Sequence, residues 1–382
     1  MYILLSIHHP LDENAGAPGV TYRLGEQYRR LGHSVALFSF DQLPSYIPGK
    51  LKPLFFPFFL WRQIRKLASE KKLDVVDASS GDAWLWSLLR SRRNGPILVT
   101  RSHGLEHTMH ESLLEEERRG HLRLSWKYPL YHGGLRLKEV AISFRRADGS
   151  LFLNQRDYDY ALRRLKVEGA NSRIVRNGLP DAFLGLPIEW GAAGQAIRIA
   201  QIGSYIPRKG IRYTAAALNG LLRWYPHVSI SFIGTGCSVE RVLEDYDEEV
   251  HSQISVVERY RQVELPALLT GHQIKLFPTL SEGFPLSLIE AMACGLAPVT
   301  AFSTDAFLQD GHNALIIPAR DSQAIAQKLE LLLANPQRLR EIRVQAYETA
   351  QTYGWSRIAQ DTLDYYESLA EKRRDGQGER IG

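Results

Sequence analysis

The stretch SRIVRNGLPDAFLGLPIEWGAAGQAIRIAQIG (172–203) decides the fold. It begins with one short apolar run and ends with another, and between them lies GLPDAFLGLPIEWGAAGQ (178–195), rich in Gly, Pro and Ala. That composition reads as a linker. On its N-terminal side, YILLSI (2–7), SVALFSF (34–40), LDVVDAS (73–79), PILVTRS (96–102), GSLFLN (149–154) and SRIVRN (172–177) are apolar runs of the kind that a sheet covered on both faces requires. Amphipathic stretches separate them. In GVTYRLGEQYRRLGH (19–33), Leu24, Tyr28 and Leu31 recur at helical spacing and Gly32 stops the helix. On the C-terminal side the alternation restarts with IRIAQIG (197–203), VSISFIG (228–234), ISVVE (254–258), IKLFPT (274–279), LAPVTA (296–301) and ALIIP (314–318). The expected fold class is α/β, with two Rossmann-like doubly wound parallel sheets in series. A single eight-fold barrel would need no mid-chain linker. The expected division is an N-terminal unit over 1–180, a linker over 181–196 and a C-terminal unit over 197–355. A long helix over 356–375, expected to return to the N-terminal unit, precedes a frayed GQGERIG (376–382).

Composition narrows the function. Of the 382 residues, 44% are hydrophobic and 23% charged, proportions of a globular chain of two domains. Cys237 and Cys294 are the only cysteines, too few for a disulfide framework or a four-cysteine metal site, so a reducing, cytoplasmic setting is expected. The first 190 residues carry 28 Lys/Arg against 20 Asp/Glu and the remainder 19 against 22, so a basic half precedes a slightly acidic one. MYILLSIHHP has no basic region ahead of its apolar run and reads as a first strand, not a signal peptide. No window offers the roughly 18 uncharged apolar residues that a membrane span needs.

The chemistry concentrates in LFPTLSEGFPLSLIEAMACGLAPVTA (276–301). Pro285 suits a first helical turn and Gly295 a C′ position, so a helix begins just after Glu282. The N–H groups near Phe284, Leu286 and Ser287, with the helix dipole, are expected to form an anion site at a strand tip. Glu290 would point back toward it and Glu282 would lie in the loop before it. Two carboxylates beside an anion-binding turn suit a ligand that has both hydroxyls and phosphates. In IGSYIPRKG (202–210) the adjacent cations Arg208 and Lys209 follow a strand, where a cation facing that helix N-terminus could neutralise a bound anion. Gly234-Thr235-Gly236 after VSISFI lacks the third glycine of a dinucleotide fingerprint; close backbone approach to a nucleotide base explains it as well.

The string EGFPLSLIEAMACG (282–295) closely resembles the nucleotide-sugar-binding motif of retaining glycosyltransferases of family 4, the group 1 glycosyltransferases, which have the two-domain GT-B fold. The resemblance runs through GAPG (16–19) with VTYRLGEQYRRLGHSVALFSF (20–40), RSHG (101–104), VRNGLP (175–180), IGSYIPRKGI (202–211) and WYPHVSISFIGTG (224–236), in that order. It implies two units facing each other across a cleft, with the donor mainly on the C-terminal unit. It further implies that Glu290 holds the ribose, Glu282 the sugar hydroxyls and Lys209 the diphosphate. Gly19 and Gly234 would let backbone approach the donor, and His103 would orient the donor sugar. The family usually reads G-R-x-x-x-x-K-G where this chain has Ser204, so the arginine is missing and Arg208 is the candidate replacement. No cofactor or metal is implied beyond the nucleotide diphosphate sugar itself. His103, His107 and His110 in SHGLEHTMHE (102–111) do not follow a zinc-helix pattern, because Gly104 would break the helix.

The expected activity is transfer of a hexose-type sugar with retention to a glycan, lipid-linked or small-molecule acceptor, as in polysaccharide or glycolipid biosynthesis. A same-fold phosphorylase, a nucleotide-sugar epimerase or a non-catalytic nucleotide-sugar binder are the alternatives. GKLKPLFFPFFLWRQIRKL (49–67) and residues 118–149 mix aromatic and basic side chains. Two readings stay open for them: helices that bury their aromatics, or a peripheral contact at the inner face of the membrane. No motif for nucleic acid accompanies the charge.

Overall fold

A computed structural model describes the chain except for residues 71–72, 92–94, 191–195, 302–306 and 379–382. Residues 191–195 of the expected linker and the last four residues of the expected frayed tail therefore lie outside the described residues. Contacts divide the chain into two compact units, Met1–Gly178 with Trp355–Gly382, and Leu179–Gly354.

The first unit alternates β1 (Tyr2–Ser6), α1 (Gly16–Arg30), β2 (Ser34–Phe38), α2 (Lys52–Glu70), β3 (Val75–Ser79), α3 (Trp84–Leu89), β4 (Ile97–Arg101), α4 (Glu106–Arg118), α5 (Arg136–Arg146), β5 (Gly149–Phe152), α6 (Gln155–Arg164) and β6 (Ser172–Ile174). The strands form one parallel sheet in the order β2-β1-β3-β4-β5-β6, with Leu4 in register with both Ala36 and Val76. Strands β1, β3, β4 and β5 are buried almost throughout, as their apolar runs require, whereas the edge strand β2 is only half covered. The order reverses between β1 and β3. In sheets of this type, ligands bind outside the carboxyl ends of the strands at such a switch point.

The second unit contains β7 (Ile197–Ile202), α7 (Ile211–Trp224), β8 (Val228–Ile233), α8 (Val239–Leu243), β9 (Ile254–Val257), α9 (Leu265–Leu268), β10 (Ile274–Phe277), α10 (Leu286–Ala293), β11 (Ala297–Thr300), β12 (Leu315–Ile316), α11 (Ser322–Ala334) and α12 (Pro336–Gln351). Its parallel sheet runs β12-β11-β10-β7-β8-β9, so its switch point lies between β7 and β10. The core packs Ile199, Phe232, Leu276 and Val299 from the sheet against Leu218 and Leu222 of α7 and Leu329 of α11.

The long helix α13 (Trp355–Gly378) belongs to the first unit. Its Tyr366 is fully buried, and the hydroxyl donates to Asp77, which also accepts from Arg101 at 2.7 and 2.9 Å. Breaking a buried ion pair by removing one partner typically costs about 3–5 kcal/mol, so this triad anchors the helix firmly.

The linker differs from its expected bounds. The chain leaves the first unit at Gly178, and the segment after it is part of the second unit. Arg343 of α12 donates to the carbonyls of Glu189 and Trp190 at 3.1 Å each, Tyr347 donates to the carbonyl of Leu186 at 3.1 Å, and Gln351 accepts from the N–H of Gly185 at 2.7 Å. A Gly/Pro-rich stretch offers many backbone groups and few side chains, and here α12 satisfies them.

Candidate functional site

The loops after β7 and β10 meet at the switch point of the second unit. Three donors converge on Oε1 of Glu282: Arg208 Nη1 at 2.8 Å, Lys209 Nζ at 2.5 Å and Thr279 Oγ1 at 3.1 Å. Arg208 also donates to the carbonyl of Ser281 at 2.9 Å, and its own carbonyl accepts from the N–H of Leu280 at 2.9 Å, so the two loops are tied together. Gly210 makes this approach feasible: its φ is +73°, and an added Cβ would overlap the carbonyl oxygen of Pro278. Burial pushes the Glu282 carboxyl up, but Lys209 and Arg208 outweigh it and hold the group below the ordinary range. Burial lowers the Lys209 ammonium in turn, against the pull of Glu282.

A second cluster surrounds Glu290, which is 4% exposed. Its carboxylate accepts from Gln262, in the loop after β9, and its charge adds to the burial that raises the Tyr260 phenol. Gly234, at φ +76°, faces the same Tyr260; a Cβ there would lie 2.6 Å from the ring. Tyr260 and Gln262 were not singled out in the sequence, although a search of every strand tip would have reached them. Lys275 was also missed. It is a cation inside an apolar strand, fully buried, with Nζ making no hydrogen bond and lying 5.3 Å from the centre of the Phe277 ring. Burial and Lys209 together hold it well below the ordinary lysine range.

The start of α10 needs one correction. The N–H of Leu286 is taken by the carbonyl of Phe284 at 3.0 Å, a tight turn that removes one of the expected anion donors. The Phe284 side chain is buried against Phe307 and Tyr353, so only its backbone faces the turn's chemistry. Ser287 Oγ lies 3.5 Å from the carbonyl of Ile202 at the tip of β7. Ser204 stands in the loop just beyond, its carbonyl accepting from the N–H of Ile206 at 2.9 Å.

The remaining expected residues belong to the first unit. Gly19 lies inside α1, where a Cβ would come within 2.7 Å of the Glu13 carbonyl oxygen, so local packing of the preceding loop accounts for this glycine. His103 follows β4, with Nε2 3.0 Å from Ser79 Oγ and a buried Nδ1 that makes no hydrogen bond. Burial, helped by Arg101, His8 and His9, pushes it down to about 3. It is therefore neutral at physiological pH, able to hydrogen-bond but not to serve as a cation. Between pH 6.5 and 3 the unfolded chain takes up a proton that folded His103 refuses, so its share of stability falls as pH falls, by at most about 1.4 kcal/mol per pH unit. Asp157 and Glu139, whose carboxyls are raised mainly by burial, oppose this trend. The informative measurement is thus the difference between the wild type and His103→Gln: between pH 7 and 5 the variant should lose less stability, and parallel curves would contradict the assignment.

Among the described residues no group of three or more His, Cys, Asp or Glu side chains could hold a metal ion. No helix among them is long and apolar enough to cross a membrane.

Both units match families of known proteins. Residues 15–183 match the model described as Glycosyltransferase Family 4, and residues 196–335 match that described as Glycosyl transferases group 1. The phosphatidyl-myo-inositol mannosyltransferase of Mycolicibacterium smegmatis is 25% identical over 386 residues, covering 95% of this chain and 92% of that protein. Among solved structures, the sucrose-phosphate synthase of Thermosynechococcus elongatus superposes with a TM-score of 0.76 at 17% identity, over 97% of this chain and 99% of the other. Anabaena Alr3699/HepE, solved in complex with UDP-glucose, does so at 0.66 and 16% identity, over 97% and 100%. These two likenesses are of fold.

Proposed function

Given that this chain belongs to the group 1, family 4 glycosyltransferases, of GT-B fold, we propose that it moves a hexose from a nucleotide diphosphate sugar to a hydroxyl-bearing acceptor with retention of configuration. The observation that carries this reading is the convergence of Arg208 and Lys209 on Glu282 beside the start of α10. Breaking the bond between sugar C1 and the donor phosphate leaves negative charge on the diphosphate. The two cations and the backbone N–H groups of Phe284 and Ser287 supply its counter-charge, an effect worth several kcal/mol where water is excluded. Glu282 then holds sugar hydroxyls and Glu290, steadied by Gln262, the ribose hydroxyls. Gly234 and Tyr260 border the base. No protein nucleophile is assigned, since retention follows from attack on the face that the diphosphate leaves.

The donor is assigned to the second unit and the acceptor to the first. The name of the mycobacterial relative supports an inositol-bearing acceptor, and the Anabaena complex supports a UDP-sugar donor. In the first unit, α2 leaves Leu54, Phe55 and Phe58 between 41% and 48% exposed, with Lys50 and Arg62 exposed nearby. This pattern supports peripheral contact of that unit with an anionic membrane surface.

The test is release of nucleoside diphosphate from a panel of UDP- and GDP-sugars, with inositol, its phosphate and phosphatidylinositol vesicles as acceptors. We expect acceptor-dependent release and a product of the donor's anomeric configuration. Rates in excess EDTA should equal those in magnesium, because Arg208 and Lys209 replace a metal as counter-charge. A steep loss in EDTA would mean a metal-bridged donor. Conversion of the donor alone into an epimer, or phosphorolysis of the sugar, would overturn transfer itself.

A further inference from the structure

The first unit has its own polar cluster at its own switch point, and the reading above assigns no role to it. His8 follows β1 and Asp82 follows β3, the two strands between which the order reverses. Asp82 is completely buried, with His8 Nδ1 2.6 Å from its Oδ1. Among the described residues Asp82 Oδ2 has no hydrogen-bond partner, and neither does the buried Oε2 of Glu106 or the buried hydroxyl of Tyr131. Arg136 lies among three carboxylates, 3.6 Å from Asp82, 3.3 Å from Glu106 and 3.5 Å from Glu139. The loop that presents Asp82 is strained: Ser80 sits at φ +46°, and Gly81 has the Arg136 guanidinium against it. Such strain persists where surrounding structure enforces it, often at ligand sites.

We propose that His8, oriented by Asp82, is a binding residue for the sugar acceptor, and that this cluster selects an uncharged polyol or sugar, not a phosphate, at that point. The inference rests on the transferase reading. Contact with the carboxylate favours the proton on Nδ1, which leaves Nε2 to accept from an acceptor hydroxyl. Arg136 Nη2 is 3.4 Å from Nδ1 and 3.3 Å from Nε2, near-equal distances that put it over the ring face and not on the Nε2 lone pair. The side chain of His8 is 22% exposed, so the ring reaches the surface while Asp82 lies beneath it. The chemical class follows from the charge. One guanidinium faces three carboxylates, which disfavours a phosphate, whereas Glu106, its side chain 23% exposed and its Oε2 without a hydrogen-bond partner, can accept from an O–H donor.

The experiment is saturation-transfer NMR on the full chain with myo-inositol and with inositol 3-phosphate as probes, together with a titration of UDP and GDP. Wild type should show a myo-inositol signal stronger than that of the phosphate. His8→Ala should reduce it at least about fivefold, His8→Gln should restore part of it, and nucleoside diphosphate affinity should be unchanged in both, which also reports that the chain is folded. In transfer assays the same variants should raise KM for the acceptor more than they lower kcat. The proposal is overturned by equal myo-inositol signals in wild type and His8→Ala, by preference for the phosphate, or by no myo-inositol signal from a wild type that binds nucleotide. Loss of nucleoside diphosphate binding in the wild type would instead overturn the donor site, a separate failure.

Discussion

Glu282→Gln is expected to lower sugar transfer by about two to three orders of magnitude while leaving nucleoside diphosphate affinity intact or slightly improved. The carboxylate is assigned to the sugar, and the diphosphate alone never meets that part of the donor. Oε1 of Glu282 accepts from both Arg208 and Lys209, so the two charges proposed to face the diphosphate are shared with this carboxylate. A neutral amide at 282 loosens both cations, which can only help a bare diphosphate. Transfer suffers because the amide is a weaker acceptor for a sugar hydroxyl than a carboxylate. Equal losses in transfer and in diphosphate binding would show that Glu282 is a scaffold for the loop and not a sugar ligand.

Arg208→Ala and Lys209→Ala should each reduce transfer by a similar factor, again about a hundredfold or more. The expectation is specific to this chain, whose Ser204 stands where relatives by resemblance carry arginine. Neighbouring residues often point to opposite sides, yet Arg208 and Lys209 reach the same oxygen because Pro207–Lys209 forms a 3₁₀ turn that ends at the left-handed Gly210. Ser204→Arg in the Arg208→Ala background should recover part of the rate, since it restores a guanidinium to the same loop. If Arg208→Ala changes the rate by less than about twofold, as a solvated surface charge would, Lys209 and the backbone donors carry the leaving group alone.

Each apolar run anticipated a strand, and the runs extend one to three residues beyond the strands at their ends. The run IKLFPT continues to Thr279, but the strand stops at Phe277 because Pro278 has no N–H to give the ladder. The site was legible where it is local in sequence: Glu282, Pro285 and Glu290 lie on one turn and helix. It was not legible where distant segments combine. Gln262 reaches Glu290 across 28 positions and His8 reaches Asp82 across 74, and no spacing rule joins them. The linker misled for a similar reason, since its partners on α12 lie more than 150 residues away.

The most direct test of the account is a calorimetric titration of the full chain with UDP and with GDP, for the wild type and for Glu290→Ala. One nucleoside diphosphate is expected to bind the wild type at one site per chain, in EDTA as in magnesium. Glu290→Ala should weaken this binding by about 1–3 kcal/mol, the worth of a charged hydrogen bond to a ribose hydroxyl. Affinity unchanged in Glu290→Ala, or no binding of either nucleotide to the wild type, would contradict it.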